Sequence, residues 1–385
     1  MNFEKLKNPF RWVRSWFWVM YYGYPARKLT VIAVTGTDGK TTVVNLIYEI
    51  LKAAGYKTGL VSTVWAKVGD EIIDMGLHVT TPDEEVMQKL FRRMVDAGCT
   101  HAVIEVTSHR LAQYKTEGYN IKIAVLTNIT HEHLDYHGTF ENYRNAKLKL
   151  FKNVEYSVLN QDDPSFDVMK DKVTGKLVIY GKGYSFKVSP FLAGEYNEYN
   201  IGAAEAVAKI FNVQSSMING VFKNYGGVPG RREEIRMGQK FRCIVDFAHT
   251  PNGLKNLLES LKGKGKLILV FGCTGERDKD KRPIMGKIAS GLADIVIVTT
   301  DDQRDESQDE IYDMIMSNVQ SSMLNKFKRE DDRDKAIIMA VKMAKPGDVV
   351  VAAGMGHEQT QLIGKTEIRR SDRQAFIMGI HAAKA

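Results

Sequence analysis

Short runs of unbroken apolar residues, each followed by helix-like sequence, constrain this chain more than any other feature. They occupy residues 29–35, 59–64, 102–106, 123–127 and 156–159, and again 243–247, 267–272, 294–298 and 348–354. Runs this short and this continuous suit strands buried on both faces. Their alternation with helical stretches predicts mostly parallel sheets covered by helices. Between the two sets, residues 226–232 read Gly-Gly-Val-Pro-Gly-Arg-Arg, a turn-rich break. We therefore expect an α/β protein with one domain over residues 29–228 and a second over 229–385, preceded by an aromatic and basic segment at 1–28. The 385 residues suffice for two such cores.

Composition narrows the partners. Apolar content of 44% with 26% charged residues excludes a disordered chain. Cys99, Cys243 and Cys273 lack any paired spacing, which argues against a disulfide framework or a zinc site and fits a reducing, cytoplasmic setting. Cys273 reads as a small apolar filler. The formal net charge is +8, yet no finger spacing, arginine-rich arm or ribonucleoprotein-type strand is present, so an anionic small substrate is expected rather than nucleic acid.

Residues 10–22 interleave aromatics with Arg11 and Arg14. The apolar run 16–22 is far shorter than the ~20 residues a membrane span requires. No small-residue cleavage site follows it, which argues against a secretory signal. Two readings stand: an aromatic cap packed on the first domain, or an interfacial helix in contact with a membrane surface.

Gly36, Thr37, Asp38, Gly39, Lys40, Thr41 and Thr42 follow an apolar run and open a helical pattern. In that context backbone N–H groups and the helix N-terminus face an anion. Lys40 is placed to reach outer phosphates and Thr41 to ligate Mg²⁺, so ATP is the expected ligand. The spacing departs from the usual Walker pattern, because Val34 stands where the earlier glycine would fall. Open parallel sheets bind ligands beyond the C-terminal ends of their strands. Glu105 closes one apolar run, and the loop holding His131, His133 and His137 follows another. Each histidine taken alone fits a solvated loop. At a strand end beside a phosphate loop, Glu105 and His133 are also candidates to hold Mg²⁺.

Phe140, Tyr143, Lys147, Leu150 and Phe151 recur at helical spacing, so Lys147 interrupts an apolar stripe while Lys149 points elsewhere. Burial there would expose a neutral, nucleophilic amine. The alternative is a lysine snorkelling from the stripe's edge. In the second domain, three loops follow strand-like runs. One contains Arg277, Lys281 and Arg282, one reads Asp301-Asp302-Gln303-Arg304, and one begins Gly354-Met355-Gly356-His357-Glu358. Arginines at converging strand ends suit carboxylate or phosphate recognition; a solvated charged rim is the other reading.

These motifs together resemble the Mur ligase family, from about residue 30 to the end. The resemblance rests on residues 35–42, Thr80-Thr81-Pro82, Glu105-Val-Thr-Ser-His, Thr127-Asn128 with His133-Leu-Asp-Tyr-His-Gly, Ala146-Lys147, Val228-Pro-Gly-Arg, Val245-Asp-Phe-Ala-His-Thr-Pro, Phe271-Gly-Cys-Thr-Gly-Glu-Arg-Asp and Gly354-Met-Gly-His-Glu. It implies a P-loop central domain with a mostly parallel sheet, then a second, Rossmann-like α/β domain. It implies an ATP-dependent, ADP-forming ligase of cell-wall peptidoglycan synthesis, closest to the branch that adds the third stem-peptide residue. Lys147 would be carbamoylated and would join Thr41, Glu105 and His133 around Mg²⁺, with Lys40, Glu105, His133 and Lys147 as the catalytic set. Asn197 and Asn200 would lie near the adenine. Thr80, Thr81, Thr107, Gln113 and Lys115 would contact a UDP-muramoyl-dipeptide or related anionic precursor. Arg277, Asp301, Asp302, Gln303, Arg304, Gly354 and Glu358 would receive a free amino acid. A monomer is expected.

The amino-acid loop keeps the arginine of the family's Asp-Asn-Pro-Arg pattern but not its Asn or Pro, so meso-diaminopimelate is expected ahead of lysine. Three departures bear on the other substrate. About 28 residues precede the first strand where family members carry a domain for the UDP end. Lys115 replaces an arginine, and Met355 stands where lysine is usual. A lipid-linked substrate, a folylpolyglutamate-like acceptor and a non-catalytic nucleotide-binding partner are the competing readings. The intact Lys40, Glu105, His133 and Lys147 set argues against lost chemistry.

Overall fold

The computed structural model describes residues 8–74, 82–182 and 187–384. The chain divides into two compact units. The first comprises Met1–Thr130, His137–Leu192 and Tyr196–Gly226, and the second His131–Tyr136, Ala193–Glu195 and Gly227–Ala385.

The first unit is built on an eight-stranded sheet. Its strands are β1 (Thr30–Thr35), β2 (Thr58–Val61), β3 (Trp65–Val68), β4 (Glu71–Asp74), β5 (His101–Glu105), β6 (Ile121–Leu126), β7 (Tyr156–Asn160) and β8 (Lys176–Tyr180). Their order is β4-β3-β2-β5-β1-β6-β7-β8. All neighbours run parallel except β2 with β3 and β3 with β4. The mostly parallel α/β architecture expected from the apolar runs is present. The β3–β4 hairpin and β8 escaped the sequence reading because none carries a long continuous apolar run; β4 and β8 are the edge strands and have exposed positions.

Strand order positions the site. The chain leaves β1 toward β2 on one side, and β5 and β6 flank β1 directly. The C-terminal ends of β1, β5 and β6 therefore meet at a topological switch point, where open sheets bind ligands. Those ends carry Gly36, Glu105 and Thr127 in turn. Helix α1 (Asn8–Tyr21) packs through Ser15 and Val19, both buried, and Ser15 Oγ donates to the Tyr114 carbonyl at 3.3 Å. Val19 sits so close to Gly118 that a Cβ there would meet Val19 Cγ2 at 2.5 Å. The opposite face of α1 is exposed.

The second unit has a six-stranded sheet of β9 (Glu233–Ile235), β10 (Arg242–Asp246), β11 (Leu267–Phe271), β12 (Ile295–Val298), β13 (Phe327–Arg329) and β14 (Val349–Ala353), in the order β13-β12-β11-β14-β10-β9. A hairpin of β15 (Thr360–Ile363) and β16 (Thr366–Arg369) stands apart from it. The two-residue period of β11 sorts the core. Leu267, Leu269 and Phe271 pack with Leu254, Leu258 and Met285 on one face, while Ile268 and Val270 pack with Ile337, Ala375 and Phe376 on the other. Both faces are thus covered, and each fully buried Leu or Phe contributes roughly 1.5–3 kcal/mol relative to exposure. Among the described residues, no helix is long and apolar enough to cross a membrane.

Candidate active site

The phosphate-type loop is held in shape by close backbone approach. Gly39 has φ 83, and a Cβ there would meet Asn200 Oδ1 at 2.2 Å; one on Gly36 would meet Thr127 Oγ1 at 1.7 Å. Only glycine fits either place. Strand-end residues of β6 then pin the loop. The Thr37 N–H donates to the Asn128 carbonyl at 2.8 Å, the Asp38 N–H to Asn128 Oδ1 at 3.0 Å, and Thr127 Oγ1 to the Asp38 carbonyl at 2.7 Å. Helix α2 (Lys40–Ala53) starts immediately after Gly39, so its free N–H groups open onto the loop. Thr41 and Thr42 lie in its first turn. Lys40 Nζ donates to the carbonyls of Gly36 at 3.1 Å and Thr37 at 2.8 Å, folding the ammonium over the place an anion would occupy.

Glu105 ends β5 buried beside this loop. Its Oε2 accepts from Thr41 Oγ1 at 3.0 Å, Thr63 Oγ1 at 2.9 Å and the Thr63 N–H at 3.1 Å. The Thr41 hydroxyl and Glu105 carboxylate thus form a pair of hard oxygen donors next to the anion cradle. Among the described residues no group of three or more His, Cys, Asp or Glu side chains forms a metal cage. Two protein oxygens beside a phosphate site nevertheless suit Mg²⁺, which takes the rest of its shell from phosphate and water.

Lys147 lies on the helix Phe140–Leu148 and is buried with Tyr143, Leu150 and Phe151 of the same stripe. Lys149 points away, with Nζ over the Tyr114 ring at 4.0 Å. Lys147 Nζ donates to the Gly36 carbonyl at 2.7 Å and stands 4.4 Å from the Tyr143 ring centre. Its pKa is driven well below the ordinary 10.5, first by loss of hydration and then by the Lys40 charge, with Asp38 and Asp163 opposing. The Tyr143 hydroxyl pairs with Thr37 Oγ1 at 3.0 Å, tying the lysine helix to the loop. Asp163, buried in the turn after β7, accepts from the Ile129 N–H at 2.7 Å; burial pushes its pKa up.

Among the other expected residues, Asn200 approaches the loop at Gly39. Asn197 and Asn200 are buried, with Asn200 Nδ2 donating to Asn197 Oδ1 at 2.8 Å. Thr107 caps the short helix Ser108–Ala112 and Gln113 ends it. Lys115 Nζ lies 3.6 Å from Asp83 Oδ1, alongside Arg110 at 3.4 Å from the same atom. Thr80 and Thr81 lie outside the described residues. His133, with φ 57, belongs to the second unit, whereas Glu105 and Lys147 belong to the first.

In the second unit the loops after β11, β12 and β14 interlock. Thr274 Oγ1 donates to Asp301 Oδ1 at 3.0 Å, the Gly275 N–H to the Asp302 carbonyl at 2.7 Å, and the Leu362 N–H to Asp302 Oδ1 at 2.9 Å. A Cβ on Gly354 would lie 2.7 Å from Asp301 Oδ2. Gln303 Nε2 donates to the Glu306 carbonyl at 2.9 Å. Arg304, with φ 56, has its backbone fixed by Leu362 at 3.2 Å and Gly364 at 2.8 Å. Its buried Nε has no partner among the described residues. Arg277 is pulled below its ordinary value by lost hydration and then by Arg304, so the two cations crowd one another. Glu358 is pushed well above its ordinary value by burial and then by Asp301 and Asp302. Buried ion pairs brace these loops: Arg282 to Glu306 at 2.7 and 2.8 Å, Arg333 to Asp372 at 2.8 Å, and Lys281 to Glu132 at 3.1 Å.

Residues 34–187 match the Mur ligase middle domain, and residues 230–356 match the Mur ligase, glutamate ligase domain. A UDP-N-acetylmuramoyl-L-alanyl-D-glutamate–2,6-diaminopimelate ligase of Geobacillus kaustophilus is 38% identical over 389 aligned residues, spanning 92% of this chain and 79% of that protein. The chain belongs to the Mur ligase family. Members of this family are ATP-dependent, Mg²⁺-using ligases, and the loop, Thr41 and Glu105 of this ligase suit that pair of ligands. A solved structure of a 2,6-diaminopimelate ligase of the same name is 30% identical with a TM-score of 0.60, covering 93% of this chain and 79% of that one. Mycobacterium tuberculosis folylpolyglutamate synthase complexed with ADP superposes with a TM-score of 0.75 over 96% of this chain and 94% of that one at 17% identity, a likeness of fold alone.

Sequence reasoning missed Thr63, the Tyr143 hydroxyl, Asp163, Glu132 and Glu306. Asp163 follows a strand end, as Glu105 closes one, and that position was its available signal. Thr63 sits in a tight turn between β2 and β3 and carries no motif.

Proposed function

We propose that this ligase joins meso-diaminopimelate to the D-glutamyl end of a UDP-N-acetylmuramoyl-dipeptide, forming ADP and phosphate. The observation that carries the reading is Lys147, a fully buried amine 2.7 Å from the Gly36 carbonyl of the phosphate-type loop. The names of the diaminopimelate ligases similar to this chain supply the substrate pair. Arg304 supports the amino-acid choice: its fixed backbone and unpartnered buried Nε suit a distal carboxylate, and Arg277 adds a second positive charge.

Each group then has a task. The substrate carboxylate attacks the γ-phosphorus of ATP, and ADP leaves an acyl phosphate. The free amino group attacks that acyl carbon, phosphate departs, and one proton is lost from nitrogen. Lys40 and the α2 N-terminus stabilise charge on the transferring phosphoryl group. Thr41 and Glu105 would hold Mg²⁺; bound there, the ion would neutralise phosphate charge. The neutral Lys147 amine is suited to add CO₂, forming an N–C bond and releasing a proton, which would place carbamate oxygen donors where the neutral amine stood. Positioning accounts for much of the remaining rate.

The test is ADP release from ATP with UDP-muramoyl-dipeptide against a panel of amino acids. Release should require both acceptor and diaminopimelate, and Arg304→Ala should raise KM for diaminopimelate about a hundredfold through loss of a charged hydrogen-bond pair. Lysine outperforming diaminopimelate, or unchanged incorporation by Arg304→Ala, would overturn the assignment.

A further inference from the structure

The outward face of α1 is apolar where a surface helix is normally polar. Phe10, Val13, Phe17, Met20 and Tyr21 recur at three-, four- and one-residue steps, so they form one stripe about 100° wide. Each is between 52% and 73% exposed. Ser15 and Val19 occupy the opposite, buried face, so this stripe is not spare core surface. Arg14 flanks it and reaches Glu84 at 3.3 Å, which anchors the helix to the first unit. The residues 8–21 lie outside both segments matched by the family domains.

Charge identifies the occupant. Between Glu4 and Asp38 the sequence holds Lys5, Lys7, Arg11, Arg14, Arg27 and Lys28 and no carboxylate. Arg27 and Lys28 are exposed in the short 3-10 turn Pro25–Lys28 that follows the helix. A second copy seated on this face would bring two such cationic segments together, which Coulomb repulsion disfavours. An anionic lipid surface satisfies both features, because tryptophan, tyrosine and phenylalanine favour the headgroup boundary and each basic residue adds attraction. Fourteen residues make about 21 Å of helix, too short for a hydrocarbon core of about 30 Å. The helix therefore lies along the surface. We propose that α1 docks this ligase on anionic membrane through the stripe Phe10, Val13, Phe17, Met20 and Tyr21. The inference is independent of the choice of amino acid.

The test uses the full chain with vesicles of phosphatidylcholine alone or mixed equally with phosphatidylglycerol. Partitioning onto the anionic vesicles should exceed that onto the neutral ones by roughly tenfold or more. Three of the four tryptophans, Trp12, Trp16 and Trp18, lie in α1, so their emission should shift to the blue on binding. Val13→Asp with Phe17→Asp, both on the exposed face, should abolish partitioning while thermal midpoint and lipid-free ADP release stay unchanged. Arg27→Glu with Lys28→Glu should weaken it selectively on anionic vesicles. Absent or equal partitioning onto the two vesicle types overturns the proposal. So does a concentration-dependent dimer in lipid-free sedimentation that Val13→Asp with Phe17→Asp dissolves.

Discussion

Lys147 in the first unit and Arg333 in the second are both withdrawn from water, at 1% and 2% exposure, yet they are held in opposite ways. Arg333 faces Asp372 through two 2.8 Å bonds and donates a third to the Ala353 carbonyl at 2.9 Å. Lys147 has a carbonyl and a ring as its close partners, with Asp38 and Asp163 acting only as more distant charges. A buried cation matched by a carboxylate stays charged and braces structure. One without such a match tends toward its neutral form, and a neutral amine is chemically available. The second unit uses the first solution three times, in Arg282–Glu306, Arg333–Asp372 and Lys281–Glu132. Arg282–Glu306 ties together the loops that carry Arg277 and Arg304, with the Glu276 N–H donating to Glu306 at 2.8 Å and Arg282 to the Thr274 carbonyl at 3.2 Å.

The contrast is broken most directly at Lys147. Lys147→Ala should lower the rate of ADP formation on the order of 10³-fold, with binding of ATP retained. Added formate or acetate should restore part of the rate by supplying the missing carboxylate-like oxygens. A variant within a few-fold of the parent would refute a chemical role for this amine. At Arg333 the expected loss is in stability. Arg333→Met leaves the buried Asp372 with Arg370 as its remaining cation, 2.8 Å away, and should cost about 3 kcal/mol in denaturant unfolding, while Arg333→Met with Asp372→Leu should recover most of it.

A smaller effect separates the two cations by pH. The folded pKa of Lys147 is depressed below 10.5, so between that depressed value and 10.5 the unfolded chain binds a proton that the folded chain does not. Stability should therefore rise with pH across that window, with a contribution of at most about 1.4 kcal/mol per pH unit. Lys147→Met should flatten the rise, which unfolding curves at several pH values measure; an unchanged slope would mean Lys147 is not its source. Smallest is Thr63→Val, which removes one of the hydroxyls holding Glu105. It should raise the Mg²⁺ concentration for half-maximal rate about tenfold with little change in saturated rate.

The legible parts of the molecule were those whose signal is local. Gly36 to Thr42 lies between a strand and the helix it opens, so strand, turn and helix are written consecutively. Glu105 is visible as the polar end of an apolar run, and Lys147 as a break in a helical stripe. Thr63, Asp163 and Glu132 were not legible because their roles depend on residues distant in sequence. Lys281 meets Glu132 across 149 positions. The loop carrying Glu132 and His133 follows a first-unit strand in sequence yet groups with the second unit. The sequence likewise left open which part of residues 10–22 would be covered; Gly118 against Val19 and the Tyr114 carbonyl at Ser15 decide that.

By itself the sequence determined two α/β cores, an anion-binding loop at the end of a central strand and the residue types gathered at the other strand ends. Apolar periodicity and glycine placement act over a few residues, so they survive in one dimension. Tertiary structure alone decided which buried charges find an opposite charge. That outcome depends on distances between segments far apart in the chain, and it separates the amine left open to chemistry at Lys147 from the cations that brace the second unit.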